Sequence, residues 1–158
     1  MLGICGGMQL LGHQVLDPHK LEGGDTNGLG LLDVTTQLAL DKTTRPFRGR
    51  LLPTGNDVAG YEIHHGVTEA LAESISVPLF VGDAGWQQGN IVGVYVHALL
   101  EDTGFREWWL RTVGFNSQSE STSRSMSWAD TLDAEFDRVA AIVESTGLVE
   151  HVLQTAAR

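Results

Sequence analysis

The sequence predicts an α/β fold followed by a helical tail, and two observations carry this prediction. Segments rich in β-forming residues alternate with glycine-containing turns up to residue 113, and apolar residues recur at helical spacing after residue 128. Strands interspersed with helices are typical of layered α/β domains. We therefore predict a domain over residues 1–113, a polar, serine-rich linker over 114–128 and C-terminal helices over 129–158.

Composition excludes several classes of function. The 158 residues include 42% hydrophobic and 19% charged residues, enough apolar material for a folded core. A net charge of -10 disfavours binding to nucleic acid or to anionic membranes. No apolar run reaches the ~18 residues of a membrane span, and we expect no signal peptide, because no basic and apolar leader pattern follows Met1. The single cysteine excludes an intrachain disulfide and fits a reducing, cytoplasmic compartment.

The first residues, MLGICGGMQLLGH, predict a sharp strand-to-helix turn centred on a cysteine. Cys5 lies between Gly3 and Gly6, Gly7 follows, and apolar residues up to Val15 recur at helical spacing. Small residues flank a nucleophile at such a turn because side chains there would collide with the strand and the helix. A full strand normally precedes this turn, so we expect upstream strands of the fold to be missing. The alternative is an inert buried cysteine.

The remaining elements follow from β propensity, periodicity and turn residues. Strands are predicted over 29–40, 43–53, 60–68 and 90–97, with a short apolar run at 78–81 and a hairpin-like loop at 83–89. Helices are predicted over 103–113 and 129–144, with a last short helical stripe over 148–156.

A cysteine nucleophile needs a base, and histidine is the usual one. His97 ends the predicted strand 90–97, where a side chain has little conformational freedom; its alternative role is a structural hydrogen bond.

His64 and His65 face opposite sides of their strand, so they do not share a metal, although one can line the site. Glu62 and Glu101 lie near histidines, and either can orient an imidazole, but both are expected on solvated faces. The other histidines are expected at the surface: His13, His19 and His151.

Three residues near Cys5 are candidates for binding a substrate. Gln9 lies one helical turn after Cys5 and on the same helix face, where its amide can contact a ligand. The backbone N–H groups of Gly6 and Gly7 can form an oxyanion hole. No phosphate-binding loop of the GxxxxGK[ST] type occurs, so this chain is not expected to bind ATP in that way.

Four sequence blocks in series resemble one enzyme family. They are GICGGMQLLG, GLGLLD followed by threonine, GYEIHHG and GNIVGVYVHALLED. The chain resembles the C-terminal glutamine amidotransferase domain of the cobyric acid synthase family, which is of the class I, triad type. The resemblance extends to about residue 113, and the helical tail resembles actinobacterial members. It implies a flavodoxin-like parallel sheet with helices on both faces, here without its first strands.

The resemblance also implies a role for each candidate residue. Cys5 would attack the carboxamide carbon of glutamine, and His97 would transfer the thiol proton to the leaving ammonia. A glutamyl thioester would form and then be hydrolysed by water. Gly6 and Gly7 would hold the oxyanion, and Gln9 would contact glutamine.

The implied partner is an upstream synthetase domain that receives the ammonia. In this family that domain uses ATP and magnesium to amidate adenosylcobyrinic acid a,c-diamide to cobyric acid, in cobalamin biosynthesis. No cofactor or metal is expected in this chain itself.

The sequence departs from the family pattern at three positions. Met8 replaces an aromatic residue, Ala98 replaces the glycine after the histidine, and Leu99 replaces an acidic residue found in other class I glutaminases. No third triad member can therefore be named, and Glu101 is the nearest acidic residue. Two alternative functions remain: the glutaminase subunit that amidates lipid II, which resembles GFENH where this chain has GYEIHHG, and a docking module without catalytic activity.

Overall fold

A computed structural model of the chain describes residues 1–115 and 128–156. The chain forms two compact units, Met1–Gln118 and Ser119–Arg158. Most of the predicted linker, 116–127, lies outside the described residues. The two units are considered separately below.

Short strands and one long hairpin make up most of the first unit. The strands are β1 Leu2–Ile4, β2 Gln14–Leu16, β3 Thr26–Asn27, β4 Val34–Leu51, β5 Asn56–Ala70, β6 Val77–Pro78, β7 Gly85–Gln88, β8 Ile91–Val94 and β9 Val96–His97. The helices are α1 Gly6–Leu11 and α2 Thr103–Thr112 in this unit, and α3 Trp128–Ser145 and α4 Leu148–Ala156 in the second.

The strands form two sheets, with orders β1-β8-β7-β6 and β3-β2-β4-β5-β9. This mixed arrangement of strands and helices confirms the predicted α/β class. Among the described residues the parallel pairs are β1 with β8 and β2 with β4, and the other pairs are antiparallel. β1 lies at the edge of its sheet.

β4 and β5 form a long antiparallel hairpin, in register from Val34 opposite Ala70 to Leu51 opposite Asn56. The pairing is irregular between Leu38 and Thr43. The strands predicted at 29–40 and 43–53 are thus parts of one strand that starts later than predicted. Residues 29–32 instead form a loop after β3, in which Leu31 and Leu32 donate backbone hydrogen bonds to the Leu11 carbonyl at the end of α1.

The strand predicted over 90–97 is divided at Tyr95. β8 belongs to the first sheet and β9 to the second, and between them the Tyr95 N–H donates to the Ala84 carbonyl at 2.8 Å. This bend delivers His97 to the second sheet, opposite Tyr61 on β5.

The helix after Cys5 is shorter than the apolar spacing predicted. It ends at Leu11, because Gly12 has an extended backbone (φ -69, ψ -174). Val15, predicted to continue the helix face, lies instead on β2.

Two clusters of buried apolar side chains form the core of the first unit. One lies between the sheets and α2 and includes Leu51, Phe80, Val94 and Phe105, together with Trp108. The other surrounds α1 and includes Met8, Leu11, Leu32, Val34 and Tyr95.

The second unit consists of α3 and α4, as the periodicity predicted. Gly147, with φ 66, lies between them and ends the first helix where expected. No described residue of α3 is buried. The residues of its apolar stripe are all exposed: Leu132, Phe136, Val139, Ala140 and Val143. No described helix is long and apolar enough to cross a membrane.

Candidate active site

Cys5 occupies the predicted turn between β1 and α1. Its backbone angles are φ 54 and ψ -117, a region that favours glycine and strains any other residue. The Cys5 N–H donates to the Val94 carbonyl at 2.8 Å, and the Cys5 carbonyl accepts from Met8 at 2.9 Å. Hydrogen bonds on both sides therefore hold the cysteine in its strained conformation.

The Cys5 thiol points at β5. Its Sγ donates to the Ile63 carbonyl at 3.4 Å, in a partly buried environment. The thiol does not cap α1, so it is not committed to a structural role at the helix start. Cys5 thus bonds to β8 through its backbone and, through its side chain, to β5, the strand that pairs with β9.

His97 lies at the end of β9, two residues after the bend at Tyr95. Its imidazole stacks on the Tyr61 ring, with centroids 5.2 Å apart and 9° between the planes. The buried Nε2 atom of His97 has no hydrogen-bond partner among the described residues. The same segment of chain, Val94 to His97, therefore holds the Cys5 backbone at one end and the imidazole at the other. No hydrogen bond joins Cys5 to His97 in the described structure.

The side chains of His64 and His65 lie on opposite sides of β5, as their adjacent positions in the strand predicted. His64 is buried and His65 bonds through Nδ1 to the Ala39 carbonyl at 3.0 Å on the opposite side of β5. His13 contacts Asp33 at 3.2 Å, and this contact is the main cause that lowers the pKa of Asp33.

The backbone at the start of α1 is open. A Cβ added to Gly6 or Gly7 would meet no atom within 4 Å. A cavity of about 320 Å³ is bordered by Gly6, Gln9 and Glu22 among others. Small-molecule pockets range from roughly 300 to 1,000 Å³, so the cavity has the size of an amino-acid site.

Gln9 is buried, and its side-chain Nε2 contacts the Tyr95 hydroxyl at 3.5 Å. Tyr95 also bonds to Thr68 at 2.7 Å, and Thr68 bonds to Thr36 at 2.7 Å. Burial raises the pKa of Tyr95, so its phenol is held neutral. A Cβ on Gly66 would lie 2.3 Å from the Tyr95 hydroxyl, which explains why glycine occupies that position.

Glu62 is not on a solvated face, contrary to the sequence prediction. It is 1% exposed and its Oε2 pairs with Arg45 Nε at 2.5 Å. This hydrogen bond is the main cause that raises the pKa of Arg45. Glu101 is exposed, as predicted.

The buried face of β5 is polar, and sequence analysis missed it. Glu62, His64, Gly66 and Thr68 alternate along the strand and all lie in the interior. The signal that could have found them is their period of two, since alternate residues of a strand share a face. Tyr95 was missed because it lies in a bend within an apolar run.

Together these residues provide the parts needed for nucleophilic acyl transfer. They are a thiol on a strained turn, an open glycine backbone next to it, a cavity bordered by that backbone, and an imidazole whose buried Nε2 has no partner among the described residues. No cluster of three or more histidine, cysteine or acidic side chains suited to a metal ion occurs in residues 1–115 and 128–156.

The chain is similar to known proteins over most of its length. The chain is 40% identical over 151 residues to the cobyric acid synthase of Deinococcus radiodurans, covering 92% of this chain and 30% of that protein. It is 37% identical over 164 residues to the cobyric acid synthase of a Bradyrhizobium species, covering 99% of this chain and 32% of that protein. The chain thus spans about a third of the length of these curated relatives.

A solved structure supports the fold. A crystal structure of a glutamine amidotransferase matches with a TM-score of 0.52 and 18% sequence identity, covering 72% of this chain and 60% of that one. Residues 1–105 match the family described as the CobB/CobQ-like glutamine amidotransferase domain. The chain therefore belongs to the family of CobB/CobQ-like glutamine amidotransferase domains.

Proposed function

We propose that this chain hydrolyses glutamine through a thioester on Cys5 and supplies the ammonia to a synthetase. The observation that carries the proposal is the strained turn at Cys5, with φ 54, in a chain of the glutamine amidotransferase family. Strain of this kind persists only where the surrounding structure maintains it, and such residues cluster at active sites.

In the proposed reaction, His97 accepts the Cys5 proton and the sulfur attacks the carboxamide carbon of glutamine. The carbon–nitrogen bond then breaks, His97 returns the proton, and ammonia leaves. Water attacks the resulting glutamyl thioester, releasing glutamate and the free thiol. The unpartnered Nε2 of His97 supports this role because a proton acceptor must be available.

The remaining site residues bind the substrate. The backbone N–H groups of Gly6 and Gly7 stabilise the oxyanion of the tetrahedral intermediate. Gln9 contacts the bound glutamine from the wall of the cavity beside α1. The thiol leaves the Ile63 carbonyl by rotating about its χ1 bond.

We further propose that the ammonia is used to amidate adenosylcobyrinic acid a,c-diamide to cobyric acid. The support is the similarity to cobyric acid synthases, of which this chain spans about 30%. ATP and magnesium belong, in this proposal, to the synthetase part of such proteins, and the reaction takes place in the cytoplasm.

The test is release of ammonia and glutamate from glutamine by the full chain, alone and with a corrinoid synthetase domain. We expect Cys5→Ala and His97→Asn each to lower kcat by about 10³-fold or more. His19→Asn, at an exposed histidine, is the matched control and should retain activity. A folded chain that releases no ammonia in either setting would contradict catalysis and support a docking module.

A further inference from the structure

The buried carboxylate of Glu62 and the buried imidazole of His64 face each other on the part of β5 that accepts a hydrogen bond from the Cys5 thiol. Glu62 Oε1 and His64 Nε2 lie 3.5 Å apart, and their residues are 1% and 8% exposed. Neither atom has a hydrogen-bond partner within residues 1–115 and 128–156. Buried polar atoms rarely remain unsatisfied, so this pair needs an explanation.

The acceptors around the His64 ring explain why this pair is buried without a partner. Its Nδ1 lies 2.8 Å from the Gly66 carbonyl, and a carbonyl oxygen can only accept, so Nδ1 carries a hydrogen. Its Nε2 faces the carboxylate of Glu62, which also only accepts. A neutral imidazole has one N–H group, and only the imidazolium satisfies both acceptors.

The surrounding charges are compatible with an imidazolium. On β4, Arg45 neutralises the other oxygen of Glu62, and Asp83 acts electrostatically on Arg45. On the opposite side, the Tyr95 ring stacks on His64 with centroids 3.7 Å apart. The thiol of Cys5 is close enough to Tyr95 to act on it electrostatically, and His97 on β9 lies opposite Tyr61, the neighbour of Glu62 on β5.

The thiol of Cys5 is hydrogen-bonded to this same stretch of β5. Ile63, which accepts the hydrogen bond from the Cys5 thiol, lies between Glu62 and His64. We propose that Glu62 holds His64 as an imidazolium and that this buried positive charge stabilises the Cys5 thiolate. Glu62 and His64 are then positioning residues, and the inference rests on the nucleophilic role proposed for Cys5.

The reactivity of the thiol tests this inference directly. Cys5 is the one cysteine of the chain, so iodoacetamide reports its thiolate without any glutamine. At about pH 7 we expect the alkylation rate of Glu62→Gln and His64→Gln to fall roughly three- to tenfold. The rates should converge with that of the unmodified chain at about pH 9.5, where the thiolate predominates in every variant.

Two control variants distinguish the loss of a buried charge from a change in packing. Glu69→Gln, at an exposed glutamate of the same strand, should stay within about twofold at both pH values because exposed charges are screened. Glu62→Asp, which keeps the carboxylate, should recover part of the lost rate. An equal loss at both pH values would show a change in packing alone and would overturn the inference.

A second measurement does not depend on any variant's folding. Nitrogen NMR of the unmodified chain at neutral pH should show hydrogens on both ring nitrogens of His64. An unprotonated Nε2 would overturn the inference. Because neither measurement uses glutamine, absent glutaminase activity with pH-dependent labelling would contradict the proposed function alone, and unchanged labelling in Glu62→Gln would contradict this inference alone.

Discussion

The imidazole of His97 stacks face to face on the phenol ring of Tyr61, its cross-strand neighbour between β9 and β5. Tyr61 is 44% exposed, whereas Nε2 of His97 is buried. The tyrosine therefore covers one face of the imidazole and restricts its rotation, while it leaves that nitrogen without a partner.

The Tyr61→Ala change removes this stacking surface. We expect kcat/KM for glutamine hydrolysis to fall about three- to tenfold, because a stacked aromatic pair contributes about 0.5–1.5 kcal/mol. Tyr61→Phe keeps the ring and should retain nearly full activity. Steady-state ammonia release measures both. Equal losses in the two variants would show that the hydroxyl group, not the ring face, is what matters.

Ala98 follows His97 in a conformation that favours glycine, with φ 64. We expect Ala98→Gly to raise the free energy of unfolding by about 0.5–1 kcal/mol, because the strain on the Cβ outweighs the greater entropy of glycine in the unfolded chain. Urea denaturation measures the change. The matched control is Ala59→Gly, at an exposed position of β5, which should lose about 0.5–1 kcal/mol. Loss of stability in both variants would contradict the prediction.

Cys5 supplies a second test of backbone strain. Its φ of 54 and ψ of -117 strain any residue with a Cβ, so Cys5→Gly should unfold with a free energy about 1 kcal/mol higher than Cys5→Ala. Both variants lack the thiol, and the comparison therefore isolates the backbone. Thermal and urea unfolding of the pair measure it, and an alanine variant as stable as the glycine variant would show that the turn relaxes.

Asp17 organises the loop between β2 and β3. Its carboxylate accepts backbone hydrogen bonds from Leu21, Glu22 and Gly24 at 2.8–3.0 Å. Burial acts to raise the pKa of Asp17, but these bonds outweigh burial and lower it below its ordinary value of 3.8. Because the pKa of Asp17 is lower in the folded chain than in the unfolded chain, the ionised carboxylate stabilises the fold at pH values above 3.8. This stabilisation is lost as the pH falls below that value.

We therefore expect Asp17→Asn to lower the melting temperature at neutral pH. The difference from the unmodified chain should shrink as the pH falls below the ordinary value of 3.8. Melting curves recorded across that range measure it. The exposed Asp57→Asn, whose carboxylate is 85% exposed, should change little at any pH. A difference that is constant with pH would assign the effect of Asp17→Asn to shape, not to charge.

Local patterns predicted the turn at Cys5, α2 and the two tail helices. In each case a glycine or a capping residue marks the boundary: Gly6 after Cys5, Asp102 accepting from Phe105 at the start of α2, and Gly147 between α3 and α4. Such boundaries depend on neighbouring residues alone and are therefore visible in the sequence.

The buried face of β5 was not predicted, because its hydrophobic pattern is inverted. Tyr61 and Val67 are 44% and 46% exposed, whereas Glu62 and Thr68 are each 1% exposed. Periodicity of apolar residues assigns such a strand to the wrong face. The partners that make burial possible, Arg45 among them, lie on another strand, so the pairing depends on tertiary structure.

The parallel pairing of β1 with β8 places Leu2 opposite Val92, and it has a kinetic consequence. The backbone bond from Cys5 to Val94 forms only when these distant segments meet, a contact that closes a large loop and forms slowly. During synthesis Cys5 precedes the β4–β5 hairpin, whereas β8, which holds its backbone, follows the hairpin. The reactive geometry of the cysteine is therefore acquired late in folding, after the β4–β5 hairpin, whose contacts are local, has had time to form.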